Sequence, residues 1–587
     1  MTSPLKKLPI GIQTFREIIT EGYAYVDKTS HALAMAEAGK YYFLSRPRRF
    51  GKSLFLDTLK ELFEGSEDLF GGLAIHERWD WTRHHPVIRL DFAGGVVQSR
   101  AELDQAIREL LALNERRLGL TCEAKSLAGC FAELIIRAHE ASGERVVVLV
   151  DEYDKPILDS IDQPARAAEL REGLKNLYSA LKAQDAHLQF VFMTGVTKFS
   201  KVSLFSGINQ LNDLTLHSRF ATVCGYTQTD LETTFGAHLA GVDWDQLKRW
   251  YNGYGFLGEP VYNPFDILLF IDNDRQYRNY WFETGSPSFL IKLLQKRRTF
   301  LPDLERVEAS EEILDSFDIE LIDPVTLLFQ AGYLTIDHIR NPFGQLLFEL
   351  RIPNQEVRQA LANQLTDAYT GRLPSERLGW QKGLYGPLSQ GDVPSLISAI
   401  RRLFAGIPWQ NFRNNDLSEA EGYYASVLYA FFASLNAEII PEDVSNHGQV
   451  DLTVKLADYI YVIEIKVRHP AGAGRSASGA GEGILLLEDE VVTRARDQAS
   501  VGPTVGPVAG DLPSLASAAV PTATLGQSPA VTNPALAQIR ARDYSAKYRG
   551  LPGRGLFELG LVFDRQDRTL VQADWQALCQ APSRPLS

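Results

Sequence analysis

The chain has few cysteines, and their arrangement excludes several kinds of site. Four cysteines occur in 587 residues, without a CxxC pair and without a histidine at zinc-ligand spacing. Neither a zinc site nor a disulfide framework is therefore expected. We interpret Cys122, Cys130, Cys224 and Cys579 as buried free thiols.

Long apolar segments and an excess of positive charge are also missing. No run of eighteen uncharged apolar residues occurs, and the N-terminal residues lack the apolar stretch of a secretory signal. We therefore expect a cytoplasmic protein without a membrane partner. The net charge of −13 argues against a surface that coats nucleic acid, although it leaves room for a basic cleft.

Three regions follow one another along the chain. Residues 1–226 alternate short β-rich runs with amphipathic helical patterns, which is typical of a parallel sheet covered by helices. Residues 227–405 are mostly helical and aromatic-rich, and we interpret them as a helical lid or winged-helix-like middle domain. Residues 406–587 contain a helix and two hairpin-like strands, which predicts a compact α/β unit. Inside it, the Ala, Gly, Ser and Pro composition of residues 470–533 predicts a disordered insertion.

The strands predicted for the first region are short and bounded by charged or turn residues. They are Lys40–Leu44, Val87–Phe92, Val146–Val150 and Leu188–Met193. The segments Ser53–Phe63 and Arg100–Leu118 space their apolar residues three and four apart and are predicted helices. Open α/β sheets bind ligands at the carboxyl ends of their strands, so candidate site residues are sought there.

A basic loop connects the first predicted strand to the first amphipathic helix. Its sequence, RPRRFGKS, ends in Gly51, Lys52 and Ser53. A phosphate-binding loop needs backbone N–H groups around the phosphates, a lysine that reaches their oxygens and a hydroxyl that holds Mg²⁺. The sequence therefore predicts a nucleoside-triphosphate site. A basic turn before a helix is the alternative, because Arg46 stands where the usual pattern has glycine.

Two other strand ends support the nucleotide site. The run VVVLVDE ends in Asp151, which would hold Mg²⁺, and Glu152, which would orient or activate water. A pair of capping carboxylates is the alternative. Thr194 and Thr197 follow another strand and could contact the γ-phosphate, although a cap of the strand end is as good an explanation.

A carboxylate pattern marks the third region. Asp451 lies on one predicted strand, and Glu464 and Lys466 lie on the next, in a D-x₁₂-ExK arrangement. Residues i and i+2 of a strand share a face, so Glu464 and Lys466 point the same way. If the strands form a hairpin across residues 457–458, Asp451 comes close to Glu464. Carboxylates that converge on a divalent ion beside a lysine are the groups that phosphodiester cleavage needs.

Together these motifs resemble the bacterial and archaeal AAA-ATPase-like proteins that carry a C-terminal PD-(D/E)XK nuclease-like domain. The resemblance rests on RPRRFGKS, VVLVDEYDKPI, FMTGVTKFSKVSLFSGIN and the ExK strand, and it covers nearly the whole chain except the insertion. It implies an α/β protein with a P-loop NTPase sheet, a helical or winged-helix-like middle domain and a restriction-endonuclease-like C-terminal domain. The Arg-Pro-Arg-Arg loop is the usual form in that family.

The resemblance also implies roles at the C-terminal site. Asp451 and Glu464 would be metal ligands, Lys466 would orient the water, and Glu421, on the preceding helix, would be an additional ligand. Gln538 could correspond to the glutamine of the family's QxxxY-like element, although the tyrosine spacing differs. The expected metal is Mg²⁺ or Mn²⁺, and the expected partner is DNA or RNA.

For the nucleotide site we expect ATP with Mg²⁺. Arg48 and Arg49 would add positive charge near the phosphates, and pairing with acidic neighbours, Asp154 or Asp159, is the alternative. AAA-type proteins usually hydrolyse at a subunit interface with an arginine from the neighbour, so a homo-oligomer is expected, and Arg219 and Arg249 are the candidates for that arginine.

Two alternatives to an ATPase with a nuclease remain open. The nuclease fold could serve only as a module that binds nucleic acid or protein, switched by the ATPase. The phosphate loop could sense nucleotide with negligible turnover.

Overall fold

A computed structural model describes residues 5–198, 210–281, 288–297, 299–315, 322–407, 421–468, 532–551 and 554–579. The described residues up to 468 and from 533 onward form one compact unit, and every element described below belongs to it. The predicted disordered insertion lies almost wholly outside the described residues.

The N-terminal region is built around a parallel sheet. Its strands are Tyr41–Ser45 (β1), Val87–Asp91 (β2), Val146–Asp151 (β3), Leu188–Gly195 (β4) and Asn212–Asp213 (β5). They lie in the order β2-β3-β4-β1-β5, and all are parallel. Strands that are covered on both faces are continuously apolar, as β3 is here. The four predicted strands are confirmed, whereas β5 is too short to show a pattern.

Helices cover the parallel sheet and continue into the middle region. Those of the N-terminal region are Phe15–Thr20 (α1), Thr29–Ala38 (α2), Lys52–Phe63 (α3), Arg100–Leu118 (α4), Leu127–Ser142 (α5), Lys155–Leu158 (α6) and Pro164–Ala183 (α7). Those of the middle region are Gln228–Phe235 (α8), Trp244–Tyr251 (α9), Pro264–Asp272 (α10), Ser288–Lys296 (α11), Glu311–Asp315 (α12), Pro324–Ala331 (α13), Gln355–Thr370 (α14), Pro374–Gln390 (α15) and Val393–Ala405 (α16).

The middle region also contains a small antiparallel sheet that the sequence did not predict. Its strands are Val307–Ser310 (β6), Thr335–Arg340 (β7) and Leu347–Arg351 (β8), in the order β6-β8-β7. All three strands are short, and β7 exposes most of its residues, so no strong alternation marks them. The region is otherwise helical, as predicted.

The C-terminal region is a mixed five-stranded sheet between two helices. Its strands are Glu438–Ser445 (β9), Gly448–Leu456 (β10), Tyr459–Arg468 (β11), Gly555–Asp564 (β12) and Leu570–Cys579 (β13). The order is β13-β12-β11-β10-β9, and only β11 and β12 are parallel. The helices are Glu421–Ser434 (α17), which also packs along α14, and Pro534–Arg542 (α18). The predicted hairpin β10–β11 is confirmed.

No helix in the part of the chain that the structure describes is both long enough and apolar enough to span a membrane.

Candidate functional site

The basic loop lies between the buried strand β1 and helix α3. Gly51 has φ of +91°, and Arg49 has φ of +69°, so the loop turns through left-handed conformations twice before the helix begins. Glycine adopts such a conformation at no steric cost, but arginine does so only under strain. The loop thus presents the positive end of α3, with its unpaired first-turn N–H groups, at the carboxyl edge of the sheet.

Lys52 is held inside this loop. Its side chain is 7% exposed, and Nζ donates to the backbone oxygens of Arg46 at 2.9 Å and Pro47 at 3.0 Å. Burial lowers the pKa of the ammonium, and the carboxylates of Asp151, Asp154 and Glu152 partly offset this. The lysine therefore lies among the acidic strand ends, as a phosphate-binding lysine must.

Ser53, in the first turn of α3, and Asp151, at the end of β3, lie close enough to influence each other. Asp151 ends β3 and is 1% exposed, and burial raises the pKa of its carboxyl to about 6. A hydrogen bond from the Ser53 hydroxyl and the charge of Lys52 oppose that rise. A hydroxyl beside a buried carboxylate is the pair of oxygen ligands that the sequence predicted for Mg²⁺.

Asp91 is a site residue that the sequence did not reveal. It ends β2 and pairs in register with Asp151 across the sheet. Its Oδ1 accepts from the Ala93 N–H at 2.9 Å, and its Oδ2 accepts from Arg89 at 3.1 Å. Its charge raises the pKa of Asp151. The sequence feature that could have revealed Asp91 is the strand VIRLDF, because its acidic end falls at the same edge of the sheet.

Glu152 and Asp154 follow β3 and face the same cavity. Glu152 has φ of +46°, a strained conformation for a residue with a side chain. Burial raises the pKa of its carboxyl, and Lys52 and Arg48 partly offset this. Asp154 is buried and accepts hydrogen bonds from the Thr197 N–H and hydroxyl, both at 2.6 Å. Asp154 therefore fixes the segment after β4.

Arg46 is an internal anchor of the loop. The side chain is 1% exposed, and its guanidinium donates to the backbone oxygens of Ser45 and Thr215 at 2.9 Å and more weakly to Phe220 and Ala221. Its Cζ also lies 3.9 Å from the centroid of the Phe256 ring. Here the arginine that replaces the usual glycine ties the loop to the segment after β5.

Replacing Arg46 with methionine is expected to lower the free energy of unfolding by about 3 kcal/mol, because at least two buried carbonyls lose their donors. Chemical denaturation followed by circular dichroism measures this. Arg48→Met, at an exposed position of the same loop, is the matched control. Equal stability of the two variants would contradict the anchoring role.

Arg48 and Arg49 are exposed and line the cavity. The Arg49 guanidinium lies 4.6 Å from the centroid of the Phe265 ring. Pairing with the two acids suggested from sequence is not observed among the described residues, since Asp154 bonds Thr197 and Asp159 bonds Lys155 at 2.5 Å.

Thr194 lies away from the cavity. It is fully buried, and its hydroxyl donates to the Leu44 carbonyl at 3.0 Å, so it joins β4 to β1 directly below the loop. Thr197 is also buried and bonds Asp154. These contacts match the structural alternative given for both threonines.

The cavity beside the loop measures about 490 Å³. Its polar lining includes Lys52, Ser53 and Glu152, together with Arg48 and Arg49. The apolar lining comes from distant segments: Pro9, Ile12, Ala24, Tyr25, Val26, Tyr226, Pro264, Phe265 and Leu268. Arg219 and Arg249 are exposed and do not line this cavity. A cavity with both cationic and apolar lining fits a nucleotide.

The C-terminal carboxylates lie where two strands separate. Pairing of β10 with β11 ends at Leu452 and Ile463, one residue before Asp451 and Glu464. Asp451 Oδ2 accepts from the Ile465 N–H at 2.7 Å. Burial raises the pKa of both carboxyl groups. The charge of Asp451 further raises the pKa of Glu464, and the charges of Glu421 and Glu442 further raise the pKa of Asp451. The predicted approach of Asp451 to Glu464 is thus confirmed.

Lys466 joins the acids of this site. Its Nζ lies 3.2 Å from Glu464 Oε1 and 3.5 Å from Glu421 Oε2. Glu421, at the start of α17, also accepts from the Val467 N–H at 3.4 Å. Glu464 is 2% exposed, and its Oε2 receives no hydrogen bond from any described residue. Lys466 therefore contacts Glu464 and Glu421 beside Asp451, but the ligand atoms of the three carboxylates do not all lie within 4.8 Å of one another, and one buried oxygen of Glu464 is left open.

Glu442 on β9 was not predicted, and its charge raises the pKa of Asp451. Gln538, the possible counterpart of the QxxxY-like glutamine, donates to the Tyr544 hydroxyl at 3.4 Å, and its role stays a prediction.

The cysteine interpretation needs correction. Cys224 is buried, but Cys579 is exposed, and Cys122 and Cys130 are only partly buried. The ligand atoms of these last two and Glu115 lie within 4.8 Å of one another, because the loop between α4 and α5 folds back. Spacing along the chain could not show this.

Comparisons with known proteins agree with this arrangement. A family model described as "Predicted AAA-ATPase" matches residues 9–205, and one described as "PD-(D/E)XK nuclease superfamily" matches residues 419–484. A protein of Azotobacter chroococcum mcd 1, described as "Uncharacterized protein in vnfD 5'region", is 50% identical over 473 residues. The match covers 80% of this chain and 91% of that protein.

Proposed function

Because the chain belongs to the family of predicted AAA-ATPases with a C-terminal domain of the PD-(D/E)XK nuclease superfamily, we propose that it binds and hydrolyses ATP and cleaves nucleic acid in a metal-dependent reaction. Nucleotide binding at the phosphate loop would control the C-terminal site. The cofactors would be ATP with Mg²⁺, and Mg²⁺ or Mn²⁺ at the C-terminal carboxylates.

The observation that carries the nucleotide half is that Lys52 and Ser53 line a 490 Å³ cavity, with Asp151 buried beside them. In this proposal Lys52 exchanges its two loop carbonyls for phosphate oxygens, and Ser53 and Asp151 hold Mg²⁺, directly or through its water. Glu152 orients the attacking water. The apolar part of the lining receives the base.

The nuclease half is supported by the donor set at the fork of β10 and β11. Among the described residues, Glu464 Oε2 is a buried carboxylate oxygen without a donor, and leaving such an atom unpaired is costly. A divalent cation held by Glu464, Asp451 and Glu421 would satisfy it, and these oxygen ligands suit Mg²⁺ or Mn²⁺. When bound, the cation would polarise the phosphodiester. Lys466 would orient the water.

One assay with the full-length protein tests both halves. ATP hydrolysis and degradation of labelled DNA and RNA are followed together, with Mg²⁺, with Mn²⁺ and with EDTA. The proposal expects turnover of ATP and metal-dependent cleavage. Retained nucleic-acid binding without cleavage would favour the binding-module alternative, and ATP binding without turnover would favour the sensor alternative.

Arg48 is expected to strengthen nucleotide binding. Replacing it with alanine should weaken ATP binding about tenfold, because one charge-assisted contact to phosphate is lost, without changing the melting temperature. Titration of a fluorescent ATP analogue measures the affinity. Arg108→Ala, at an exposed position on α4, is the control. Unchanged affinity would remove Arg48 from the phosphate site.

A further inference from the structure

Two carboxyl groups that neither site uses lie together in the middle region. Asp266 lies in the first turn of α10, and Glu356 lies in the first turn of α14. Both side chains are fully buried. Two carboxylates cannot both be charged in such a place at neutral pH without a large cost in free energy.

The contacts of the pair show where a proton lies. Glu356 Oε1 accepts from the Tyr280 N–H at 2.5 Å and the Trp281 N–H at 2.9 Å. Among the described residues, no nitrogen or hydroxyl donor reaches Glu356 Oε2 or either oxygen of Asp266. The two carboxyl groups instead hydrogen-bond each other, which requires that the pair holds one proton.

The surroundings favour this shared proton. Burial raises the pKa of both carboxyl groups, and each is affected by the other. Arg49 is the nearby cation that opposes the rise at Asp266. Burial, and to a smaller extent the charge of the pair, raises the pKa values of the Tyr251 and Tyr254 hydroxyls.

The pair lies directly behind the phosphate loop. Phe265, next to Asp266 in the chain, lines the cavity and stacks against Arg49. On the other side, the Phe50 ring of the loop lies 4.8 Å from that of Tyr254. A shift of the loop or of the cavity wall on nucleotide binding therefore reaches the first turn of α10.

Helix α14 continues from Glu356 to the C-terminal site. It packs along α17, where the Tyr423 hydroxyl donates to the Tyr369 carbonyl at 3.4 Å and the two rings stack. Glu305 ties the two helices again, since it bonds both Arg358 and Tyr429. Helix α17 begins at Glu421, which contacts Lys466.

We propose that the Asp266–Glu356 pair is the positioning element through which the nucleotide site acts on the nuclease-like site. The shared proton stays on the pair and fastens α10 to α14, so that a movement of α10 is passed to α14 and α17. This inference rests on the proposed function for its two sites, but the carboxyl pair itself does not depend on it.

Hydrogen–deuterium exchange of the full chain, with and without saturating ATP, tests the link without requiring hydrolysis or cleavage. In the wild type we expect ATP to slow exchange in α14 and α17 by at least about fivefold. Asp266→Ala should bind ATP but lose this response. Asp266→Asn, whose amide still donates to Glu356, should restore it. Glu349→Gln, a buried acid on β8, is the control.

An infrared measurement tests the shared proton separately from nucleotide. The wild type should show a protonated-carboxyl band at neutral pH, and Asp266→Asn should lose the part of its intensity that comes from the pair. A band that is equally strong in the wild type and in Asp266→Asn would overturn the proposal, as would an ATP response that survives in Asp266→Ala. If the wild type binds ATP but α14 does not respond, the link fails and the proposed function stands. If the wild type does not bind ATP, both the link and the proposed function are overturned.

Discussion

Lys52→Ala is expected to lower ATP affinity at least about 100-fold and to abolish ATP hydrolysis. The reason is the position of Nζ, which lies inside the loop between two backbone oxygens and beside Asp151. No other lysine of α3 lies at the loop. A fluorescent ATP analogue measures the affinity, and phosphate release measures the turnover.

The matched control for this variant is Lys60→Ala on the same helix. Lys60 pairs with Glu61 at 2.9 Å and does not line the cavity, so its loss should leave affinity and turnover unchanged. ATP hydrolysis that survives in Lys52→Ala would show that the loop does not bind phosphate.

Asp451→Ala is expected to reduce metal-dependent cleavage of nucleic acid at least about 100-fold while ATP affinity stays at the wild-type value. This substitution removes one of the carboxylates that we propose as metal ligands beside β10 and β11. Cleavage is measured on labelled DNA and RNA with Mg²⁺ or Mn²⁺, and metal binding is measured by calorimetry.

Glu438→Gln serves as its control, because Glu438 is an exposed acid on β9 that pairs with Lys455 at 2.7 Å. Glu464→Gln should reproduce the loss seen in Asp451→Ala. Wild-type cleavage in either site variant would show that the carboxylate cluster is not the source of the activity.

The parts of the sites that could be predicted are those encoded in consecutive residues. VVVLVDE contains a buried strand and its polar tip, and RPRRFGKS directly follows a buried strand and opens a helix, so each pattern shows both the element and the polar residues at its end. The same holds for Glu464 and Lys466, which follow the alternation of a single strand. Parallel pairing then brings such strand ends to one edge of the sheet.

The parts that could not be predicted depend on contacts between distant segments. The apolar lining of the cavity combines Pro9, Tyr25, Tyr226 and Phe265, which share no motif. The burial of Arg46 depends on carbonyls near residues 215–221, so the sequence showed only that it stands where glycine is usual.

The flanking strands of the C-terminal sheet escaped prediction for a local reason. Strand β9 contains Pro441 and three acidic residues, and β13 exposes most of its length, so neither shows a clean alternation. The pairing of Asp266 with Glu356, ninety residues apart, could not be seen because an acid in the first turn of a helix ordinarily indicates a solvent-exposed position.

The contacts of the phosphate loop with the middle region bear on how the protein can be divided and inherited. Phe50 packs on Tyr254 and Phe256, and Pro47 packs so closely on Gly332 that a side chain there would collide with it. A fragment that stops at residue 226 would expose this side of the loop to water. The ATPase domain and the middle region are therefore expected to be inherited together, so recombination between relatives should exchange both at once.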